Sequence, residues 1–229
     1  MKVSLVQMNS QGNKAENLKI AAELIEKAVK EEKPDLVVLP EYFAFLGDSP
    51  EAMHESGEEF PGGEIYTLLS GLARKHAITL HAGSIVEKEG NRFYNSTLVF
   101  GSDGKQIARY RKIHLFDVDT PNGISYRESD SVARGEDVVT YQVGDKTVGC
   151  AICYDIRFPE LFRALRDKGA DVIVLPAAFT LMTGKDHWEV LARARAIETQ
   201  TYFLAVGQIG AHADGKKACW GHSMVIDPW

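Results

Sequence analysis

Two hydrophobic rhythms alternate along the chain. Within Lys14 to Lys33, the residues Leu18, Ala21, Ala22, Ile25 and Val29 recur at helical spacing, whereas Asp35-Leu-Val-Val-Leu-Pro40 is a short unbroken apolar run. The first pattern predicts a helix with one buried stripe and the second a strand buried on both faces. Pro40 ends that strand, because proline has no N–H to give to a central ladder. The same patterns predict strands at Val3–Met8, Ile78–Val86, Arg92–Phe100, Gln106–Ile113, Val138–Val143, Lys146–Cys153, Asp171–Pro176, Tyr202–Gln208 and Ser223–Ile226, and helices at Glu64–His76, Pro159–Lys168 and Lys185–Thr199. Polar turns at Lys88–Asn91 and Ser102–Gly104 separate three of the strands. Asp117 to Asp137 reads as one long polar loop, a length common in functional loops.

Interleaved strands and helices define an α/β protein. One run returns: Asp35-Leu-Val-Val-Leu-Pro40 is echoed by Asp171-Val-Ile-Val-Leu-Pro176, each after a helical segment. Two similar βαβ halves are therefore expected. No linker rich in Pro, Ser or Gly divides them, so residues 1–229 read as a single domain.

Charge and composition narrow the class. Twenty-six Lys and Arg against 32 Asp and Glu give a net charge of −6, which argues against a nucleic-acid partner and against anionic lipid. The 45% hydrophobic and 25% charged content is that of a globular protein, and no apolar run approaches the roughly 18–20 residues that span a bilayer. The apolar run in Met1 to Ser10 is too short for a signal peptide and reads as the first strand. Three cysteines, an odd number, make no disulfide framework and point to a reducing cytoplasm.

Cys150-Ala-Ile-Cys153 has the formal C-x-x-C spacing of a redox or metal site. In an extended strand its two side chains stand roughly 10 Å apart on opposite faces, beyond the roughly 7 Å Cα separation a disulfide tolerates. No further Cys or His stands at zinc-ligand spacing, so no metal is expected. Cys153 alone is placed differently. It precedes a turn, Tyr154-Asp-Ile-Arg157, and then a helix, the strand–turn–helix arrangement that presents a nucleophile at a sheet's carboxyl edge. The alternative is a small buried core residue. A thiol nucleophile needs a base, and the seven histidines keep a Cys–His pair open. Glu41 is the rival: it follows the first Leu-Val-Val-Leu-Pro strand, so it also lies at a carboxyl edge, where ligands of open sheets bind. Few polar neighbours there would raise its pKa toward that of a base. Lys112, in Arg109-Tyr-Arg-Lys-Ile-His-Leu115, would favour a thiolate and an oxyanion. In an extended strand it shares a face with Tyr110 and His114, away from Arg109, Arg111 and Ile113.

Taken together, Leu39-Pro-Glu41, Tyr110-Arg-Lys-Ile-His-Leu115 and Gly149-Cys-Ala-Ile-Cys-Tyr-Asp-Ile-Arg-Phe-Pro-Glu160, in this order, resemble the nitrilase or carbon–nitrogen hydrolase superfamily over almost the whole chain. The resemblance implies a four-layer α-β-β-α sandwich and a Glu41–Lys112–Cys153 triad. It adds Glu128, in Tyr126-Arg-Glu-Ser129, as a second glutamate that orients Lys112 and the hydrolytic water. Phe116-Asp-Val-Asp119, Ile124-Ser-Tyr-Arg-Glu-Ser129, Phe179-Thr-Leu-Met-Thr-Gly184, His187-Trp-Glu189, Arg193-Ala-Arg-Ala-Ile-Glu198 and Gly221 to Trp229 look like the ω-amidase and deaminated-glutathione-amidase branch. That branch implies hydrolysis of the terminal amide of a small acid through a cysteine thioester, with no cofactor, in a homodimer or higher homo-oligomer. The backbone N–H of Tyr154 would serve the oxyanion. Arg157 would hold a substrate carboxylate or else pair structurally with Asp155 or Glu160. Tyr42, Phe179, Thr180 and Met182 are further pocket candidates. One departure stands at the end: relatives continue for several tens of residues past Asp227-Pro-Trp229, with a last strand and a tail often used in subunit contacts. Nitrile hydrolysis and N-carbamoyl cleavage are the alternatives within the enzyme class. Outside it stand a non-catalytic relative acting through partner contacts and a thiol redox protein using Cys150 and Cys153.

Overall fold

The structure, a computed structural model, describes residues 1–120, 123 and 125–229. In chain order its elements are β1 (Val3–Leu5), α1 (Lys14–Glu32), β2 (Leu36–Val38), α2 (Pro50–Glu55), α3 (Gly63–His76), β3 (Thr79–His81), β4 (Ile85–Glu89), β5 (Arg92–Phe100), β6 (Gln106–Arg111), β7 (Asp117–Asp119), β8 (Ser125–Arg127), β9 (Thr140–Val143), β10 (Lys146–Cys150), α4 (Pro159–Asp167), β11 (Val172–Ala177), α5 (Leu181–Thr199), β12 (Tyr202–Gly207), β13 (Ile209–His212), β14 (Lys217–Trp220) and β15 (Met224–Ile226).

Two sheets carry the fold. The first has the order β1-β2-β3-β5-β4, with β6 on the other edge of β5; the second has the order β15-β12-β11-β10-β9. The period of two along each strand separates the layers. Leu36 and Val38 of β2 face the second sheet in a core shared with Val148, Val172 and Val174. Val37 and Leu39 point the other way, into a core with Leu18, Ala21 and Ile25 of α1 and Ile65, Leu69 and Leu72 of α3. On the far side of the second sheet, Leu161, Phe162 and Leu165 of α4 and Trp188, Ala192 and Ala196 of α5 complete an α-β-β-α sandwich.

The helices start where the chain supplies acceptors for their free N–H groups. The Asn13 side chain accepts from Glu16 N and Thr180 from Thr183 N. No side chain of its own caps α3; the buried Glu58 carboxylate reaches over to accept from the Glu64 and Ile65 N–H groups.

Several sequence expectations are corrected. The strand expected over Ile78–Val86 breaks at Gly83, whose φ is +58°, so β3 and β4 lie end to end along one edge of β5. A Cβ at Gly83 would collide with the Pro40 carbonyl, and Ser84 N donates to that same oxygen (3.2 Å), so this glycine lets the turn press against the exit of β2. The strand expected to reach Cys153 ends its ladder at Cys150, and Val3–Met8 shortens to β1 with a lone bridge from Met8 to Gln208. The polar stretch Asp117–Asp137 contains the β7–β8 hairpin and a short 3-10 turn, Glu128–Asp130. Its polar sequence hid them because neither strand is buried on both faces. Helix α5 begins four residues before the expected Lys185, at Leu181, and α2 and the β13–β14 hairpin are additions. Ile124, which opens the Ile124–Ser129 motif, lies outside the described residues.

Candidate active site

Strand exits from both sheets converge on one buried cluster. Glu41 follows β2 by three residues and is 2% exposed. Its Oε1 accepts from Asn95 Nδ2 (2.8 Å) and Lys112 Nζ (3.4 Å), and its Oε2 from Ala178 N (2.6 Å), just past β11 in the other sheet. Gln208, at the exit of β12, donates to the Glu41 carbonyl (3.0 Å). The surroundings of Glu41 are thus rich in donors, which corrects the expectation of few polar neighbours.

Lys112 stands one residue past β6 and is 2% exposed. Its Nζ donates to Glu128 Oε2 at 2.8 Å as well as to Glu41. Burial alone would lower its pKa, but the Glu128 and Glu41 carboxylates outweigh burial and hold it well above the usual lysine value. The ammonium therefore stays charged. The predicted alternation holds: Tyr110 and Lys112 are buried, while Arg109 and Arg111 turn away to Glu87. Glu128 opens the 3-10 turn, where it also accepts from Phe116 N (2.7 Å) and Tyr42 OH (3.2 Å).

Cys153 sits at the start of a 3-10 turn, Cys153–Arg157, with φ of +47°. A non-glycine residue in this left-handed region is strained, and such strain gathers at functional sites. Burial pushes the thiol pKa well above its ordinary value and the Glu41 charge adds to the rise, while Lys112 and the Ala178 N–H pull against it. The thiol is therefore protonated at rest, beside a carboxylate that can take its proton. Tyr154 follows in the first turn, where N–H groups have no partner inside the helix. All three cysteines are free and buried.

A buried carboxylate fixes this turn. Asp155 accepts from Tyr110 OH (2.6 Å), His114 N (3.0 Å), His114 Nδ1 (2.7 Å) and Ile152 N (2.9 Å). The segment that carries Lys112 is thereby tied to the residue before Cys153. These bonds occupy Asp155, so Arg157 does not pair with it. Nor is an ion pair with Glu160 present among the described residues; Arg157 Nη2 instead meets His187 Nδ1 at 3.1 Å. The Arg157 guanidinium lies 5.7 Å from the Tyr154 ring and 5.8 Å from the Phe179 ring. Phe179 is buried against Trp188, Thr180 caps α5, and Met182 is 44% exposed on its first turn. Glu41, Lys112, Glu128, Tyr42 and Cys153 are thus brought together, and Arg157 lies beside the rings of Tyr154, the residue after Cys153, and Phe179.

Sequence reasoning missed Asn95, Asp155 and the N–H groups of Phe116 and Ala178. A signal for Asn95 existed: a polar run, Asn95-Ser-Thr97, falls in the middle of the strand pattern Arg92–Phe100 rather than in a turn. Backbone donors leave no signal in residue identity. Among the described residues no group of three or more His, Cys, Asp or Glu could hold a metal ion, and no helix is long and apolar enough to cross a membrane.

Two layers of helices around two sheets, with a carboxylate, an ammonium and a thiol at the strand exits, define a class that sequence comparison also identifies. Residues 2–229 match the carbon-nitrogen hydrolase family, and the chain belongs to it. It is a hydrolase acting on amides. The deaminated glutathione amidase of a Synechocystis strain is 43% identical over 98% of this chain and 83% of its own length. The omega-amidase NIT2-B of Xenopus laevis is 39% identical over 100% of this chain and 81% of its own. Among solved structures, Nit3 of Saccharomyces cerevisiae, a member of branch 10 of the nitrilase superfamily, superposes with a TM-score of 0.88 at 35% identity, covering 100% of this chain and 82% of that one.

Proposed function

We propose that this protein removes the terminal amide of a small carboxylate-bearing acid through a thioester on Cys153. Glu41 takes the thiol proton as Sγ attacks the amide carbonyl. Lys112 and the Tyr154 N–H stabilise the oxyanion of the tetrahedral adduct. The C–N bond then breaks, and Glu41 returns the proton to the departing ammonia or amine. Water attacks the thioester carbonyl with Glu41 again as base and Glu128 holding Lys112 and the water in place; the C–S bond then breaks, Glu41 returns that proton to the Cys153 sulfur, and the free acid leaves. No cofactor enters these steps.

The observation that carries this reading is the buried Glu41–Lys112–Glu128 cluster against the buried Cys153, whose backbone lies in the left-handed region. The names of the relatives support the substrate class. Arg157, in reach of His187, supplies the cation for the carboxylate, a planar fork that suits it. Tyr42 holds Glu128 and walls the pocket with Phe179, Thr180 and Met182. Three free cysteines support a reducing cytoplasm, and the working unit is a single domain assembled as a homodimer or higher homo-oligomer.

Intact-protein mass spectrometry of wild type and Glu41→Gln after mixing with 2-oxoglutaramate or succinamate, alongside an ammonia assay, tests this. Ammonia from wild type and an acyl adduct mapped to Cys153 are expected. Turnover by a folded Cys153→Ala variant would overturn the covalent mechanism.

A further inference from the structure

We propose that Asn95 is the positioning residue that assigns the base role to Glu41 rather than to Glu128. The inference rests on the reading above, in which Glu41 takes the thiol proton. Asn95 is 1% exposed and lies between the two carboxylates, with Nδ2 at 2.8 Å from Glu41 Oε1 and 3.5 Å from Glu128 Oε1. Turned over, its amide oxygen would face two anions, so the charge of the site fixes its orientation. One amide nitrogen carries two hydrogens, one for each carboxylate.

Two carboxylates and one ammonium share this buried space, so a proton arriving from the thiol has two places to go. Both oxygens of Glu128 are occupied, by Lys112 at 2.8 Å, Phe116 N–H at 2.7 Å and Tyr42 OH at 3.2 Å. Glu41 has Lys112 only at 3.4 Å. Glu41 is thus the carboxylate less closely held by the shared ammonium, and it is the one that faces the Cys153 thiol. The Asn95 donor on Glu41 Oε1 makes up for the longer ammonium contact, because hydrogen bonds to a carboxylate favour its charged form. It also pins Oε1 and leaves Oε2, on the Ala178 N–H side, for the thiol that faces the same N–H.

A second observation separates this role from packing. Asn95 Oδ1 is buried with no hydrogen-bond partner among the described residues. A buried unsatisfied carbonyl costs stability, and an apolar side chain of similar size would avoid that cost. The Asn95 backbone is held independently of its side chain, since Lys112 N donates to the Asn95 carbonyl (2.8 Å).

The test is the pH dependence of kcat and kcat/KM for wild type, Asn95→Leu and Asn95→Ser with succinamate, with Glu41→Gln and Cys153→Ala as controls. For Asn95→Leu we expect kcat to fall on the order of tenfold or more with KM within about twofold, and the acid limb of kcat/KM to move up by about one pH unit. Asn95→Ser, which keeps one donor, falls between and covers the case in which the leucine variant does not fold. An acid limb that stays in place in the folded variants, with both controls dead, overturns the role of Asn95 alone. Turnover retained in Cys153→Ala overturns the underlying reading and this inference with it.

Discussion

The segments that begin at Asp35 and Asp171 are built alike and end differently. Asp35 N donates to the Lys2 carbonyl and Asp171 N to the Thr147 carbonyl, each at 2.9 Å, and each aspartate carbonyl accepts from the next parallel strand at 3.0 Å, from Thr79 N and Tyr202 N. Each side chain accepts from the strand before it: Asp35 from Lys2 N at 2.6 Å and Asp171 from Thr147 N at 2.9 Å. β2 lies between parallel β1 and β3, and β11 between parallel β10 and β12. Beyond the shared Leu-Pro the halves part. Pro40 is followed by Glu41, whereas Pro176 leads through Ala177 to Ala178, which offers only its N–H, to Glu41 itself. The preceding strands divide labour the opposite way: past β10 comes Cys153, and past β1 comes Ser10, which braces Gln208. The repeated run decides where a strand ends; the residue just beyond it decides what chemistry the exit can do.

If that division is right, substitutions at the unlike exits destroy turnover and substitutions at the like entrances do not. The largest effect is expected at the exits. Cys153→Ala and Glu41→Gln should each lower kcat by about 10⁴-fold or more, and the double variant should be little worse than either, because the two act as one unit. Cys150→Ala should stay within about threefold of wild type, since Cys150 is buried inside the β10 ladder, with its thiol pKa raised by burial, and does not reach the cluster. Steady-state ammonia release measures all four. A dead Cys150→Ala that is folded would return the pair of cysteines to consideration as a redox unit.

Lys112→Met comes next. Loss of one preorganised oxyanion donor typically costs about 2.7–4 kcal/mol of barrier, so kcat should fall about 10²–10³-fold. The variant also strands Glu41 and Glu128 close together without their cation, so the acid limb of kcat/KM should move to higher pH. A loss confined to KM would show that Lys112 binds substrate rather than the transition state.

How much of this was legible in sequence follows from the same contrast. Buried parallel strands announce themselves as unbroken apolar runs, and the echo at Asp35 and Asp171 exposed the two halves. Glu41 and Cys153 were visible because each stands at the end of an apolar strand pattern, whereas Lys112, in the basic stretch Arg109–Leu115, was singled out by its charge and by the family resemblance. What stayed hidden lies where identity and role decouple. The β7–β8 hairpin is half exposed and polar, so no periodicity marks it, although its far end positions Glu128. Asp155 looked like a partner for Arg157 because the two are close in the chain; in the fold Asp155 is spent on Tyr110, His114 and Ile152. Ala178 contributes a backbone N–H that any residue but proline would supply, so no reading of side chains could single it out.

A smaller effect sharpens the contrast between the sheets themselves. His81 of β3 is fully buried and meets Tyr141 OH of β9 at 3.0 Å across the core, and burial depresses its pKa from 6.5 to about 3. The folded state therefore keeps His81 neutral while the unfolded chain takes up a proton. Its contribution to stability is present above about pH 6.5 and is lost as pH falls toward 3, by up to about 1.4 kcal/mol per pH unit. Urea midpoints at pH 7 and pH 4.5 should fall further for wild type than for His81→Gln. Equal falls would mean that other groups govern the acid limb.

The smallest effect is the most direct check on the likeness of the halves. Asp35→Ala and Asp171→Ala each remove a side-chain acceptor from a strand N–H near the surface, which typically costs about 0.5–1.5 kcal/mol. Both should lower the urea midpoint by similar amounts with unchanged m-values, and both should leave kcat within about twofold, because neither side chain touches the cluster. Asp35 also lies 4.0 Å from the N-terminal ammonium, a surface pair worth little in water. Similar losses would mean that the two entrances are interchangeable framework and that the asymmetry of the enzyme begins at Pro40 and Pro176. A loss several times larger at Asp171 would mean that the half carrying the nucleophile is also the half whose framework is less tolerant, with the strain at Cys153 as the physical reason.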